Sequence, residues 1–245
     1  MKPTIILVHG AFAESASWEN VIDSLAGAGH TVIAAANPLR GPAADAAAVG
    51  DLIAAVDGPV VLVGHSYGGS VISNVRADAR KVTGLVYACA FAPGPGETCN
   101  ALAEQFPGST LASTLRPVPR GDGTTDLYIV PERFHEQFCA DLPAPQAARM
   151  AATQRPVTLQ ALTEPSGPTP LWRELPSWFV IGDEDRTIPA ALQRFMAERA
   201  GARRALAIPG GSHAAVVSHP EETAKMILEA AAESASAWST DGTDR

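Results

Sequence analysis

Four short, continuous apolar runs constrain this sequence more than any other feature. They are "TIILVHG", "PVVLVGHS", "VTGLVYACAFAP" and "SWFVIGDED". Runs of this length that end in Gly, Pro or Asp suit strands buried on both faces of a parallel sheet. Helical spacing follows the first run. In "SASWENVIDSLAGAGH" the residues Trp18, Val21, Ile22 and Leu25 share a face, and Gly27 and Gly29 close the segment. "TVIAAANP" then reads as a strand, "AADAAAVGDLIAAV" as a helix, and "GGSVISNVRADAR" as the helix after the second run. Strands that alternate with helices of this length predict an α/β fold, with a parallel sheet covered on both faces.

The rhythm stops near Pro93 and resumes near Pro170. Between them the chain is rich in Pro and Gly and carries short helical pieces, "CNALAEQF", "PERFHEQFCADL" and "PQAARMAATQ". The only strand-like piece is "DLYIV". This stretch is expected to fold over the sheet as a cap. Beyond it come the strand "SWFVIGDED", the helix "PAALQRFMAERAG", the strand "RRALAIPGGSH" and the helix "PEETAKMILEAAAESA". Pro220 followed by Glu221 and Glu222 suits a helix start, because acidic groups favour the positive end of the helix dipole. One domain is expected over residues 1–245. Its core covers about 1–95 and 170–235, its cap about 96–169, and a polar, frayed tail about 236–245.

With 46% hydrophobic and 18% charged residues in 245, the chain can build a sizeable core. Lys and Arg number 18 against 26 Asp and Glu, a formal net charge of −8 with no basic run. Nucleic acid and anionic membrane surfaces are therefore not expected partners. Cys89, Cys99 and Cys139 are too few and too scattered for a disulfide framework or a zinc site. The N-terminus has no signal-peptide pattern, and no apolar run reaches membrane-spanning length, so a cytoplasmic location is expected. Composition says nothing about oligomeric state.

The second run leads into Gly64-His65-Ser66-Tyr67-Gly68 and then directly into a helix. Gly-x-Ser-x-Gly between a strand and a helix is the pattern of a nucleophile elbow. Its glycines are needed because the backbone crowds itself at so sharp a turn. The turn lifts the serine hydroxyl above the sheet and aims the Tyr67 amide toward it. A serine is a weak nucleophile unless a base takes its proton, and the base needs an orienting acid. In strand–turn–helix contexts of this kind the chain order is Ser, acid, His. Asp185, in "GDEDRTIP", and His213, in "GGSH", follow Ser66 in that order, each just past a strand. Strand ends on one edge of a parallel sheet can converge there.

"LVHGAF" after the first strand, "VGHSYGG", "GDEDRTIP" and "GGSH" together resemble the α/β-hydrolase superfamily over nearly the whole chain. The nearer likeness is to the small branch of methylesterases and hydroxynitrile lyases. The resemblance implies the α/β-hydrolase fold: a mostly parallel central sheet flanked by helices, with a small, mainly helical cap insertion. It implies a serine esterase with Ser66, Asp185 and His213 as its triad and no metal or organic cofactor. Its Gly-x-x-Asp…Pro pattern falls on Gly182, Asp185 and Pro189, with Asp183 as the competing acid. It implies that the backbone N–H groups of Ala11 and Tyr67 bind the oxyanion, with Phe12 as the alternative to Ala11. His9 and His65 are expected to orient loop backbone.

The pocket wall is expected to draw on Phe12, Phe91, Leu102, Phe106, Phe134, Phe138 and Met150, an apolar set that suits a small hydrophobic ester. Hydroxynitrile lyases of this branch carry a lysine after the catalytic histidine and a threonine after the first histidine of the oxyanion loop. Here Ala214 and Gly10 stand at those positions, against lyase chemistry. Perhydrolase or cofactor-free haloperoxidase activity, and amide or carbon–carbon bond hydrolysis, would use the same triad. A ligand receptor on the same fold is the non-enzymatic alternative.

Overall fold

The computed structural model describes residues 1–76 and 81–241. The chain opens with β1 (Thr4–Val8), α1 (Glu19–Gly27), β2 (Val32–Ala35), α2 (Pro42–Ala54), β3 (Val60–His65), α3 (Tyr67–Ser73) and β4 (Val82–Ala88). The cap follows, with α4 (Cys99–Glu104), β5 (Leu115–Pro119), β6 (Thr125–Ile129), α5 (Pro131–Phe138), α6 (Ala144–Thr153), β7 (Val157–Thr158) and α7 (Leu159–Thr163). The core is completed by β8 (Ser177–Gly182), α8 (Ala190–Arg199), β9 (Arg204–Ile208), α9 (Ala215–Ser218) and α10 (Pro220–Asp241).

Six strands form one sheet in the order β2-β1-β3-β4-β8-β9, all paired in parallel. Every residue of β1, β3 and β8 is buried, as their unbroken apolar sequences require. Alternate side chains of these strands enter two different cores. Ile6, Val8 and Leu62 join Val49 and Ile53 of α2, Val71 and Ile72 of α3, and the cap residues Phe134 and Phe138. Ile5, Leu7, Val61 and Val63 join Val21 and Leu25 of α1 and Met226, Ile227 and Ala230 of α10. β9 lies at the edge of the sheet, and its first residues, Arg204 and Ala205, are exposed.

Three elements differ from the sequence reading. α3 stops at Ser73 because the Ser73 hydroxyl and the Asn74 amide bond back to the carbonyls of Gly69 and Ser70, which turns the chain out of the helix. The rest of the helix expected there, Ala77 to Arg80, lies outside the described residues. The cap is mainly helical but also contains an antiparallel sheet, β5-β6-β7. "DLYIV" is its central strand. Its partner β5, "LRPVP", is hidden from a sequence reader by two prolines, which an exposed edge strand tolerates. Finally, α10 runs to Asp241, past the tail expected from residue 236. No Gly or Pro interrupts the chain until Gly242. Residues 242–245 of that tail lie outside the described residues.

From β1 the chain steps outward to β2, then returns to the other side of β1 as β3. The strand order therefore reverses between β1 and β3. In open α/β sheets the crevice at such a reversal, beyond the C-terminal strand ends, is where ligands bind. Ser66 follows β3 there, and Ala11 lies in the loop after β1. Among the described residues no helix is long and apolar enough to cross a membrane.

Candidate active site

The turn after β3 is set by close contacts. A Cβ on Gly64 would lie 2.6 Å from backbone atoms of Gly68 and Gly69, and one on Gly68 would lie 2.3 Å from the Val8 carbonyl oxygen. No larger residue fits either position without moving β1 or the elbow. Ser66 itself takes φ 55° and ψ −125°, a region that side chains rarely adopt. Such a conformation costs about 1–3 kcal/mol and persists only where the surroundings impose it. Here the Ser66 N–H bonds to the Ala88 carbonyl, and the Ser66 carbonyl accepts from Gly69 and Phe91.

Three strand ends meet at the Ser66 hydroxyl. His213 Nε2 lies 2.8 Å from Ser66 Oγ, and His213 Nδ1 lies 2.7 Å from Asp185 Oδ2. Because a carboxylate can only accept, Nδ1 carries the imidazole proton and Nε2 is free to accept from the serine. Asp185 is buried and held from every side. Its Oδ1 accepts from the N–H groups of Thr187 and Ile188 at 2.7 and 2.9 Å, and its Oδ2 also accepts from Gln193 Nε2 at 2.9 Å. The competing Asp183 points to the surface, where it pairs with Arg194 and is 45% exposed.

The other histidines are committed elsewhere. His9 Nε2 accepts from the Asn37 N–H, so its Nδ1–H donates to the Gly10 carbonyl, and the Asn37 side chain returns a bond to the His9 carbonyl. Burial lowers the His9 pKa to about 4. His65 Nε2 donates to the His213 carbonyl at 2.9 Å. Burial, together with the neighbouring His213, lowers the His65 pKa to about 3, and its Nδ1 has no hydrogen-bond partner. Both rings are thus neutral supports for loops, as expected. His30, His135 and His219 bond to Pro3, Leu142 and Ser218, away from Ser66.

Of the two alternative donors in the loop after β1, the Phe12 N–H is already bonded to the Arg155 carbonyl at 3.0 Å. That bond occupies the N–H group expected as the alternative to Ala11. Tyr67 is the first residue of α3, so its N–H has no acceptor within the helix. Its side chain is anchored by a 2.8 Å bond from the hydroxyl to buried Asp45.

The aromatic residues expected in the pocket divide into groups. Phe138 stands edge-on to His213, with ring centroids 4.9 Å apart. Phe12 packs edge-on against Phe138, and Phe134 packs behind it. Phe91 meets the site through its backbone N–H to Ser66. Leu102 is buried in the same core, whereas Phe106 pairs with Phe195 of α8. The site is closed: Ser66 is 3% exposed and His213 0%. On the outer side of Phe12 lies a cleft of about 300 Å³ whose wall includes Glu14, Gln146, Arg149, Met150 and Val217. Among the described residues no three His, Cys, Asp or Glu side chains cluster so as to hold a metal ion.

Residues 5–226 match the model of the "Alpha/beta hydrolase family". The chain belongs to that family. Among its relatives is a pyrethroid hydrolase of Sphingobium wenxiniae, 29% identical over 92% of this chain and 86% of that one. Two solved structures share the fold. Polyneuridine aldehyde esterase has a TM-score of 0.80 at 20% identity, covering 94% of this chain and 99% of its own. A methylesterase from Arabidopsis has a TM-score of 0.76 at 17% identity, covering 94% and 99%. Within this α/β hydrolase, Gln193 and Asn37 were not among the residues singled out from sequence. Their only sequence signal is a polar residue placed beside apolar ones, which many surface positions share.

Proposed function

We propose that the protein is a serine carboxylesterase that cleaves small hydrophobic esters through an acyl-enzyme on Ser66. The observation that carries this reading is the unbroken chain Ser66 Oγ, His213, Asp185, with links of 2.8 and 2.7 Å. Ser66 attacks the ester carbonyl while His213 Nε2 takes its proton. Asp185 fixes the imidazole tautomer and stabilises its cationic form. The N–H groups of Ala11 and Tyr67 receive the negative charge that develops on the carbonyl oxygen. His213 then protonates the departing alcohol, and next activates a water molecule that releases the acid and restores Ser66.

The Phe138 ring beside His213, with Phe12 packed against it, supports an apolar acyl or alcohol group. The name of one relative, a pyrethroid hydrolase, agrees with a hydrolase reading. Lyase chemistry is disfavoured by Gly10 and Ala214, which stand where lyases of this branch carry a threonine and a lysine. A Cβ at Gly10 would sit 2.4 Å from Ser66 Cβ, so a threonine there would displace the serine.

The test is hydrolysis of 4-nitrophenyl esters of increasing acyl length by wild type and Ser66→Ala. Turnover by the wild type, reduced by at least about 10⁴-fold in the variant, is expected. Equal rates in the two proteins would overturn the proposal.

A further inference from the structure

The cap reaches the histidine loop through the Asp141 carboxylate and through Phe138, whose carbonyl lies 3.3 Å from the Ser212 hydroxyl. Asp141 follows α5 in the cap, and its side chain is 14% exposed. Its Oδ2 accepts from the Ser212 N–H at 3.1 Å and from the Ser218 hydroxyl at 2.6 Å, and its Oδ1 accepts from the Ser212 hydroxyl at 2.5 Å. Ser212 Oγ in turn accepts from the Ala214 N–H at 3.1 Å. Asp141 therefore fixes the residue before His213 directly and the residue after it through one hydroxyl. Phe138, three residues before Asp141, packs its ring against His213. Ser218 Oγ also lies 2.9 Å from His219 Nδ1, which stands 3.7 Å from Asp141 Oδ2.

We infer that Asp141 is a positioning residue for His213, a tie from the cap that holds the imidazole at bonding distance from Ser66. The inference rests on His213 being the base. Asp185 fixes one edge of the ring through Nδ1 but does not fix the backbone that carries it. His65 holds the His213 carbonyl, and the N–H groups on either side depend on Asp141 and Ser212. Burial pushes the Asp141 carboxyl up, but the bonds from Ser212 and Ser218 outweigh it. The group stays below its ordinary value and remains an acceptor at neutral pH. The arrangement also couples cap and base: a displacement of the 138–141 segment that opens the site would loosen His213 together with it.

The experiment compares Asp141→Asn and Ser212→Ala with wild type. Asp122→Asn, an exposed carboxylate in the cap hairpin, is the control. Asp141→Asn replaces one acceptor oxygen by an amide donor, so at least one of the three bonds is lost. Three quantities are read: kcat and KM on 4-nitrophenyl acetate, the rate at which a fluorophosphonate labels Ser66, and Tm. Both variants should lower kcat and the labelling rate together by about tenfold or more, with KM within about twofold of wild type and Asp122→Asn unchanged. Ser212→Ala, which removes one hydroxyl, carries the test if Asp141→Asn does not fold. Wild-type kcat and labelling in a folded variant, or a loss confined to KM, would overturn the inference. Failure of the underlying reading looks different: His213→Ala would then label as fast as wild type.

Discussion

At the scale of single residues, the proposed mechanism depends on Ser66 and on which acid serves His213. Asp183 and Asp185 are two positions apart in "GDED", and the Gly-x-x-Asp…Pro pattern favours Asp185 with Asp183 as the competitor. Their surroundings differ. Asp185 is buried, accepts two backbone N–H groups, and touches His213; Asp183 forms an exposed ion pair. Exposed pairs contribute about 0–1 kcal/mol, so Asp183→Asn should leave kcat/KM within about twofold of wild type. Asp185→Asn offers an amide where the imidazole N–H needs an acceptor, and should cost about 10⁴-fold. Steady-state kinetics of both variants would check this, and a reversed order of losses would reassign the acid. The order Ser, Asp, His was legible because each residue sits in a short motif at a strand end. Gln193, Asn37 and Asp141 were not, because their partners are remote in sequence and only the fold brings them close.

At the scale of elements, the core strands were legible because they are buried on both faces and so read as unbroken apolar runs. The cap was less legible. Its pieces are short, and β5 carries prolines that argue against a strand until its edge position is known. Specificity is expected to depend on the loop after β1. Phe12 adopts φ 60°, packs edge-on against Phe138 and lines the cleft. Ser66 is buried, and Phe12 connects the cleft wall to Phe138, which packs on His213. Phe12→Leu, which keeps most of the apolar volume, should raise kcat/KM for long-chain nitrophenyl esters severalfold relative to the acetate. Parallel changes across the whole chain-length series would remove Phe12 from this role.

At the scale of the whole molecule, two buried neutral histidines set a pH dependence of stability. His9 and His65 titrate at about 4 and about 3, below the ordinary value of 6.5. Between those limits the unfolded chain binds protons that the folded chain refuses, so stability is full above about pH 6.5 and falls as pH drops. Each residue contributes a loss of about 1.4 kcal/mol per pH unit. From pH 6.5 to 4.5 Tm should fall before most carboxylates titrate, and His9→Gln, which cannot take up the proton, should show a shallower slope. An equal slope in the variant would mean that His9 is charged in the native state. The same fold gathers the ends of β3, β8 and β9 around one hydroxyl, and the central claim is that this hydroxyl is a nucleophile. Labelling the wild-type protein and His213→Ala with a fluorophosphonate, followed by peptide mass mapping, tests it most directly. One adduct is expected, on Ser66, formed at least about 10³-fold more slowly without His213. A folded wild-type protein whose Ser66 stays unmodified, or whose labelling is indifferent to His213, would contradict it.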